Sequence, residues 1–148
     1  MSKLKLTKRV LYKEAKPVSF DYPVQLTKLR KQLTSIMLMK DGIGLAAPQV
    51  GVSKQVFVMR KLDVNKTPSI VGVFNPDILE YDKDVIPFIE GCLSFPVKSL
   101  EVNRPASILA TWKDETGKEY EEELHGMNAR IFQHEFDHLY GVTFEERV

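Results

Sequence analysis

The stretch that decides the fold is Gln133-His134-Glu135-Phe136-Asp137-His138, which contains His-Glu-x-x-His. On an α-helix, residues four apart lie one above the other, so His134 and His138 can hold one metal ion. Glu135 then lies about 60° around the axis from His138, beside any water on that ion. Two imidazoles, an open coordination position and a neighbouring carboxylate are the parts of a metallohydrolase site.

The residues around the motif follow a helical period. Four of them fall on one face at i, i+4, i+7 and i+11, namely Met127, Ile131, His134 and His138. Gly141 follows as a C-terminal stop. We therefore predict a helix over residues 126–140. The alternative at this point is a buried helix whose two histidines are only hydrogen-bonded.

Length and composition set the class of protein. The chain has 148 residues, enough for one domain over residues 1–148. A net charge of +1 gives no field that would recruit nucleic acid. No apolar run approaches about 20 residues, and the N-terminus lacks an apolar signal segment. We expect a cytoplasmic protein with no stable nucleic acid or membrane partner. A trimmed organellar presequence is an alternative reading of the basic N-terminal residues.

The chain has one cysteine, Cys92, in the setting Glu-Gly-Cys-Leu-Ser. It can form no internal disulfide, which fits a reducing compartment, and it excludes a Cys₄ structural zinc site. An inert buried thiol is one reading and a third metal ligand is the other. His125 lies nine residues before His134, on the opposite side of a continued helix. A Cys92, His134 and His138 trio leaves a fourth position open to water, as catalytic sites do.

The order of predicted elements indicates the fold class. An amphipathic helix over residues 24–40 precedes several strands, at 54–60, 70–74, 78–81, 107–112 and 119–124. Residues 6–12 are predicted as a short opening strand, and Asn75-Pro76 as the end of another. The last helix follows. This order predicts an α+β fold with mainly antiparallel β-sheets wrapped around a central C-terminal helix that contains the His-Glu-x-x-His motif.

Three segments, in order, resemble the peptide deformylase family. They are Gly-Ile-Gly-Leu-Ala-Ala-Pro-Gln at 42–49, Glu-Gly-Cys-Leu-Ser at 90–94 and His-Glu-x-x-His at 134–138. The resemblance covers nearly the whole chain. It implies the metal ligands Cys92, His134 and His138. It also implies that Glu135 is the general base and then the acid, and that Gln49 and the backbone N–H of Leu93 hold the oxyanion.

The resemblance also implies a substrate and a place for it. The substrate would be an N-formylmethionyl peptide of a nascent chain, and a metal-activated water would release formate from it. Gly44 would pair with the peptide backbone, and a methionine pocket would be lined by Ile43, Phe88 and Ile131. Glu90 and Arg104 would form a supporting salt bridge. The family implies Fe²⁺ as the native ion with Zn²⁺ or Ni²⁺ as substitutes, although the sequence itself does not choose among them.

Two further expectations concern assembly. We expect a monomer. Many bacterial relatives continue past the metal helix into a basic helix associated with ribosome docking. This chain stops a few residues after Gly141, so we do not expect docking through such a tail. Similar short forms occur in phages and organelles, which keeps an organellar location or a phage host's cytoplasm as alternatives.

Three rival functions share parts of the pattern. A zincin-like endopeptidase also uses His-Glu-x-x-His, but it does not use Cys92 in this setting. A degenerate binding module would hold a peptide N-terminus without hydrolysing it. A structural metal site would unfold on chelation and have no activity. Because every catalytic residue type is present, the sequence favours the hydrolase.

Overall fold

The computed structural model describes residues 3–148, which form helices, strands and two short 3₁₀ helices. The helices are α1 (Pro23–Met39) and α2 (Gly126–Leu139). The strands are β1 (Gly44–Ala46), β2 (Val56–Leu62), β3 (Pro68–Tyr81), β4 (Val85–Cys92), β5 (Phe95–Pro105), β6 (Ser107–Lys113) and β7 (Glu119–His125). The 3₁₀ helices are Ala47–Val50 and Phe144–Arg147.

The strands form two antiparallel sheets. One has five strands in the order β1-β2-β3-β6-β7, and the other pairs β4 with β5. Helix α2 packs against β1, β2, β5, β6 and β7, so it lies between the sheets. The predicted α+β fold with antiparallel sheets around the C-terminal helix is confirmed. No helix in residues 3–148 is long and apolar enough to cross a membrane.

Strand β2 shows how the larger sheet separates the two helices. Its side chains alternate between the faces, as the pleat of a strand requires. Val56 and Val58 point into the core beneath α1, whereas Phe57 and Met59 point into the core around α2. On the α2 side Phe132 meets Phe57 edge-on, with ring centroids 5.1 Å apart. Helix α2 is thus covered by apolar packing on the face opposite the metal motif.

Two strand predictions were wrong. Strand β3 runs through Asn75-Pro76, where the pairing with β6 shifts register. Asn75 has a φ of 49°, and its side chain both accepts from the backbone of Val18 and donates to it. That bulge absorbs the turn-forming dipeptide without ending the strand. Residues 6–12 form no strand, and Thr7 N–H donates to the Gln49 carbonyl in a loop.

Candidate metal and catalytic site

Helix α2 and the end of β4 bring three possible ligand atoms together. His134 Nε2 lies 3.3 Å from His138 Nε2, and Cys92 Sγ lies 3.5 Å from His138 Nε2. All three atoms lie within 4.8 Å of one another, and all three residues are buried. The two histidines share a helix face because they are four residues apart. Cys92 lies at the end of β4 in the two-stranded sheet, and spacing along the sequence cannot show that it approaches the two histidines.

The donor set suits a divalent cation. His134 Nδ1–H donates to Glu90 Oε1 at 2.8 Å, which directs Nε2 toward the other two donor atoms. Burial lowers the pKa of His134, but Cys92 and Glu90 outweigh it and raise that pKa to about 10. Burial and the neighbouring His134 lower the pKa of His138. Cys92 and Glu90 thus favour positive charge at His134, and sulfur with two imidazoles is a ligand set that Zn²⁺ and Fe²⁺ accept.

Glu90 is held by three cationic groups. Arg104 donates to it through Nε at 2.7 Å and Nη2 at 3.1 Å, and Arg130 Nη1 donates at 2.7 Å. Burial raises the pKa of Glu90, but the hydrogen bonds from His134 and both arginines lower it to about 2. Glu90 is therefore a fixed carboxylate that orients His134. The predicted salt bridge between Glu90 and Arg104 is confirmed.

Glu135 lies in a protected position beside the ligand cluster. Its side chain is 4 % exposed, and burial raises its pKa to about 7. Its Oε1 atom has no hydrogen-bond partner within residues 3–148. Its other oxygen packs on Gly44, where an added Cβ would lie 2.6 Å from Oε2. A buried carboxylate with one free oxygen and a pKa near neutrality can accept a proton from a water molecule.

The Gln49 amide is oriented by two hydrogen bonds. Gln49 Oε1 accepts the Ala46 N–H at 2.9 Å, and Gln49 Nε2 donates to Ser94 Oγ at 3.0 Å. Nε2 also lies 3.7 Å from Cys92 Sγ. The short 3₁₀ helix that follows β1 brings Gln49 to this place. Its NH₂ group is thus fixed next to the ligand cluster.

A cleft of about 460 Å³ opens beside these groups. It is lined by all but one of the sequence-predicted site residues: Ile43, Gly44, Gln49, Phe88, Cys92, Leu93, Ile131, His134 and Glu135. His138 is fully buried behind them. Ile131 is buried, while Ile43 and Phe88 are half exposed at the rim. The cleft runs along β1, which is an edge strand of the larger sheet.

Two residues around the cluster were not predicted from the sequence. Ser94 orients Gln49, and Arg130 holds Glu90 and lines the cleft. A signal was available for Arg130, because it lies four residues before His134 on the same face of a buried helix. Ser94 ends the Glu-Gly-Cys-Leu-Ser segment that resembles the family, but its hydrogen bond to Gln49 joins residues 45 positions apart. His125 is two-thirds exposed near Glu123 and lies outside the site, as expected.

Known proteins resemble this chain over most of its length. The polypeptide deformylase family matches residues 3–148. A peptide deformylase of Thermotoga maritima is 46 % identical over 139 residues, covering 94 % of this chain and 81 % of the relative. The crystal structure of a probable peptide deformylase from synechococcus phage S-SSM7 has a TM-score of 0.90 at 37 % identity, covering 98 % and 99 % of the two chains. A Met-Ala-Ser-bound peptide deformylase from Acinetobacter baumannii has a TM-score of 0.87 at 32 % identity, covering 99 % of each chain.

Proposed function

The chain belongs to the polypeptide deformylase family, whose members are hydrolases acting on N-formyl peptides, and from that membership we propose its specific reaction. It removes the formyl group from N-formylmethionyl peptides of newly made proteins and releases formate. One observation supports this most strongly: a three-atom ligand cluster, a free carboxylate oxygen and an oriented amide all meet at one cleft. We further propose a cytoplasmic monomer, and the lone cysteine fits a reducing compartment.

Cys92, His134 and His138 would hold the metal ion. When bound, a divalent cation supplies a Lewis acid and lowers the pKa of a water molecule. We propose Fe²⁺ as the native ion with Zn²⁺ or Ni²⁺ as substitutes, because all three accept sulfur and imidazole nitrogen. Glu90 fixes the ring of His134, which keeps its Nε2 aimed at the cluster.

Glu135 acts as the base and then the acid. Its carboxylate takes the proton of the attacking water, and the same group later gives that proton to the departing amine. A pKa of about 7 suits both directions of transfer, because neither the acid nor the carboxylate is strongly favoured near neutral pH. Gly44 allows the carboxylate to approach the strand edge at which the peptide would lie.

Two neutral donors stabilise the oxygen that becomes negative in the transition state. Gln49 and Leu93 both line the cleft, and we assign the Gln49 Nε2–H and the Leu93 backbone N–H as these donors. Preorganised donors of this kind contribute about 10²–10³ in kcat each. Ala46 and Ser94 hold the Gln49 amide, so its orientation exists before substrate arrives. The amide adds no charge that would compete with a cation.

The peptide would bind as an added strand along β1. An edge strand offers free backbone groups on one side, and Gly44 presents no side chain there. The methionine side chain would enter the apolar part of the cleft between Ile43, Phe88 and Ile131. The Acinetobacter baumannii peptide deformylase with this fold binds Met-Ala-Ser, which supports a peptide ligand for this chain as well.

A peptide panel tests the proposal against its rivals. Formyl-Met-Ala-Ser and acetyl-Met-Ala-Ser differ only at the amide to be cleaved. We expect formate from the first peptide and no product from the second. Cleavage inside the acetylated peptide would favour an endopeptidase. Binding of the formyl peptide without formate release, in Fe²⁺, Zn²⁺ and Ni²⁺ forms alike, would favour a peptide-binding module.

A further inference from the structure

The 3₁₀ helix Phe144–Arg147 reaches the ligand cluster by two routes. The buried ring of Phe144 meets the His134 ring in a T-shaped contact with centroids 5.8 Å apart, and it also stacks on the ring of Phe95. Arg147, three residues later, donates two hydrogen bonds to the carboxylate of Asp137. They run from Nε to Oδ2 at 3.1 Å and from Nη2 to Oδ1 at 3.0 Å. The first contact is apolar packing. The second is the outermost of a series of connected ion pairs.

That line consists of Arg147, Asp137, Arg104, Glu90 and His134, and we call it the ion-pair chain. Asp137 Oδ2 accepts Arg104 Nη1 at 2.9 Å. Arg104 in turn donates twice to Glu90, which accepts His134 Nδ1–H. The signs alternate from the helix end to the metal ligand. Each inner member is less than 9 % exposed, so water screens the interior little.

Arg147 is the only side chain within residues 3–148 that donates to Asp137 Oδ1. Without it, the carboxylate would be held at Oδ2 by Arg104 alone. A bidentate clamp fixes the plane of a carboxylate, whereas a single bond lets it rotate. Arg104 would then lose a fixed partner on the side away from Glu90. Rotation of the Asp137 carboxylate can therefore disturb Arg104 and, through it, the Glu90 carboxylate that orients His134.

We propose that Arg147 is a positioning residue for the metal ligand His134 and acts through the ion-pair chain. The inference rests on the proposed metal site. Carboxylates that orient ligating histidines typically matter by about 10–100-fold in metal affinity. Arg147 stands three links beyond Glu90 and is half exposed, so its effect is smaller, about 3–10-fold in the rate of metal loss.

The test uses full-length protein loaded with Co²⁺, whose visible absorption reports the ligand geometry. Wild type, Arg147→Gln and Arg147→Lys are mixed with a chelator, and the loss of the Co²⁺ band is timed. Arg147→Gln should lose metal about 3–10-fold faster and show a shifted band. Arg147→Lys keeps the charge but not the bidentate clamp, so it should fall between the two.

Glu145→Gln is the matched control on the same 3₁₀ helix. It removes the ion pair with Lys98 and leaves Asp137 untouched. It should release Co²⁺ at the wild-type rate with the wild-type band. Equal acceleration in Glu145→Gln and Arg147→Gln would overturn the proposal, because general loosening of the helix would explain both. A wild-type rate and band in Arg147→Gln would overturn it directly.

Salt concentration provides an independent test, because the ion pair of Arg147 is exposed whereas the inner members of the ion-pair chain are buried and less screened by salt. Raising the salt concentration should speed metal loss from wild type toward the rate of Arg147→Gln and change the variant less. Equal salt dependence in both would contradict the proposal. Wild type that binds no Co²⁺ would contradict the proposed function itself and remove the basis of this inference.

Discussion

Glu90→Gln is the substitution whose consequence the structure defines best. The change keeps the shape of the side chain and removes its charge. Two nearly buried arginines, Arg104 and Arg130, would lose their anion. His134 would lose the charged acceptor of its Nδ1–H bond. The variant should therefore be less stable and hold metal more weakly.

The size of the stability loss follows from the pKa of Glu90. Its partners lower that pKa from 4.5 to about 2, which corresponds to about 3 kcal/mol of preference for the charged form in the folded state. Removing one member of a buried ion pair costs about 3–5 kcal/mol in general. Both estimates place the stability loss at about 3 kcal/mol. Separately, loss of a carboxylate that orients a ligating histidine typically lowers metal affinity by about 10–100-fold.

The sign of the pH dependence is fixed by the direction of the shift. Because the folded pKa is depressed, the stabilisation is fully present above the unfolded pKa of 4.5 and is lost as pH falls toward the folded pKa of about 2. Urea unfolding of metal-free protein should therefore show a gap between wild type and Glu90→Gln at pH 7. That gap should narrow below about pH 4.

Glu101→Gln is the matched control, since Glu101 is an exposed glutamate on β5. Its backbone pairs with that of Ile89, the residue before Glu90 on β4. This variant should change the free energy of unfolding by less than about 0.5 kcal/mol. The reasoning would be refuted by a Glu90→Gln loss of under about 1 kcal/mol at pH 7. A gap that stays constant as the solution is acidified would refute it equally, because the charge would then not be its source.

Three other outcomes are expected at the candidate site. Gly44→Ala should lower kcat about 10²-fold with metal content unchanged, because the new Cβ would lie 2.6 Å from Glu135 Oε2, and normal kcat would contradict that packing. Glu135→Gln should keep its metal and lower kcat by about 10²–10⁴, and metal loss in this variant would make Glu135 a ligand. Finally, kcat/KM should fall as pH drops below the pKa of Glu135, about 7 or lower once a cation is bound, and a flat acidic limb would exclude Glu135 as the base.

The sequence predicted those parts of the molecule that depend on local spacing. Helix α2 lies within one residue of its predicted bounds, because a helical period and a terminal glycine are properties of adjacent residues. The His134 and His138 pair follows from the same period. Residue type made Cys92 a candidate beside them, but only the resemblance chose that reading over an inert thiol, since β4 meets α2 across the fold.

The errors have the opposite cause. Asn75-Pro76 is a turn signal in sequence, but the long-range bonds of Asn75 to Val18 turn it into a bulge inside β3. Residues 6–12 have strand-like composition, yet the loop they form is tied to Gln49. The contact of Arg130 with Glu90 was missed for the same reason. Arg130 finds its partner 40 residues away.

The most direct test of the account is formate release from formyl-Met-Ala-Ser as Fe²⁺ is titrated anaerobically into metal-free protein. The rate should rise in proportion to added ion and stop rising at about one ion per chain, as a single three-ligand site requires. A chelator should abolish the rate. Formate release that ignores both ion and chelator, or none at any loading of folded protein, would contradict the claim that Cys92, His134 and His138 form the catalytic metal site.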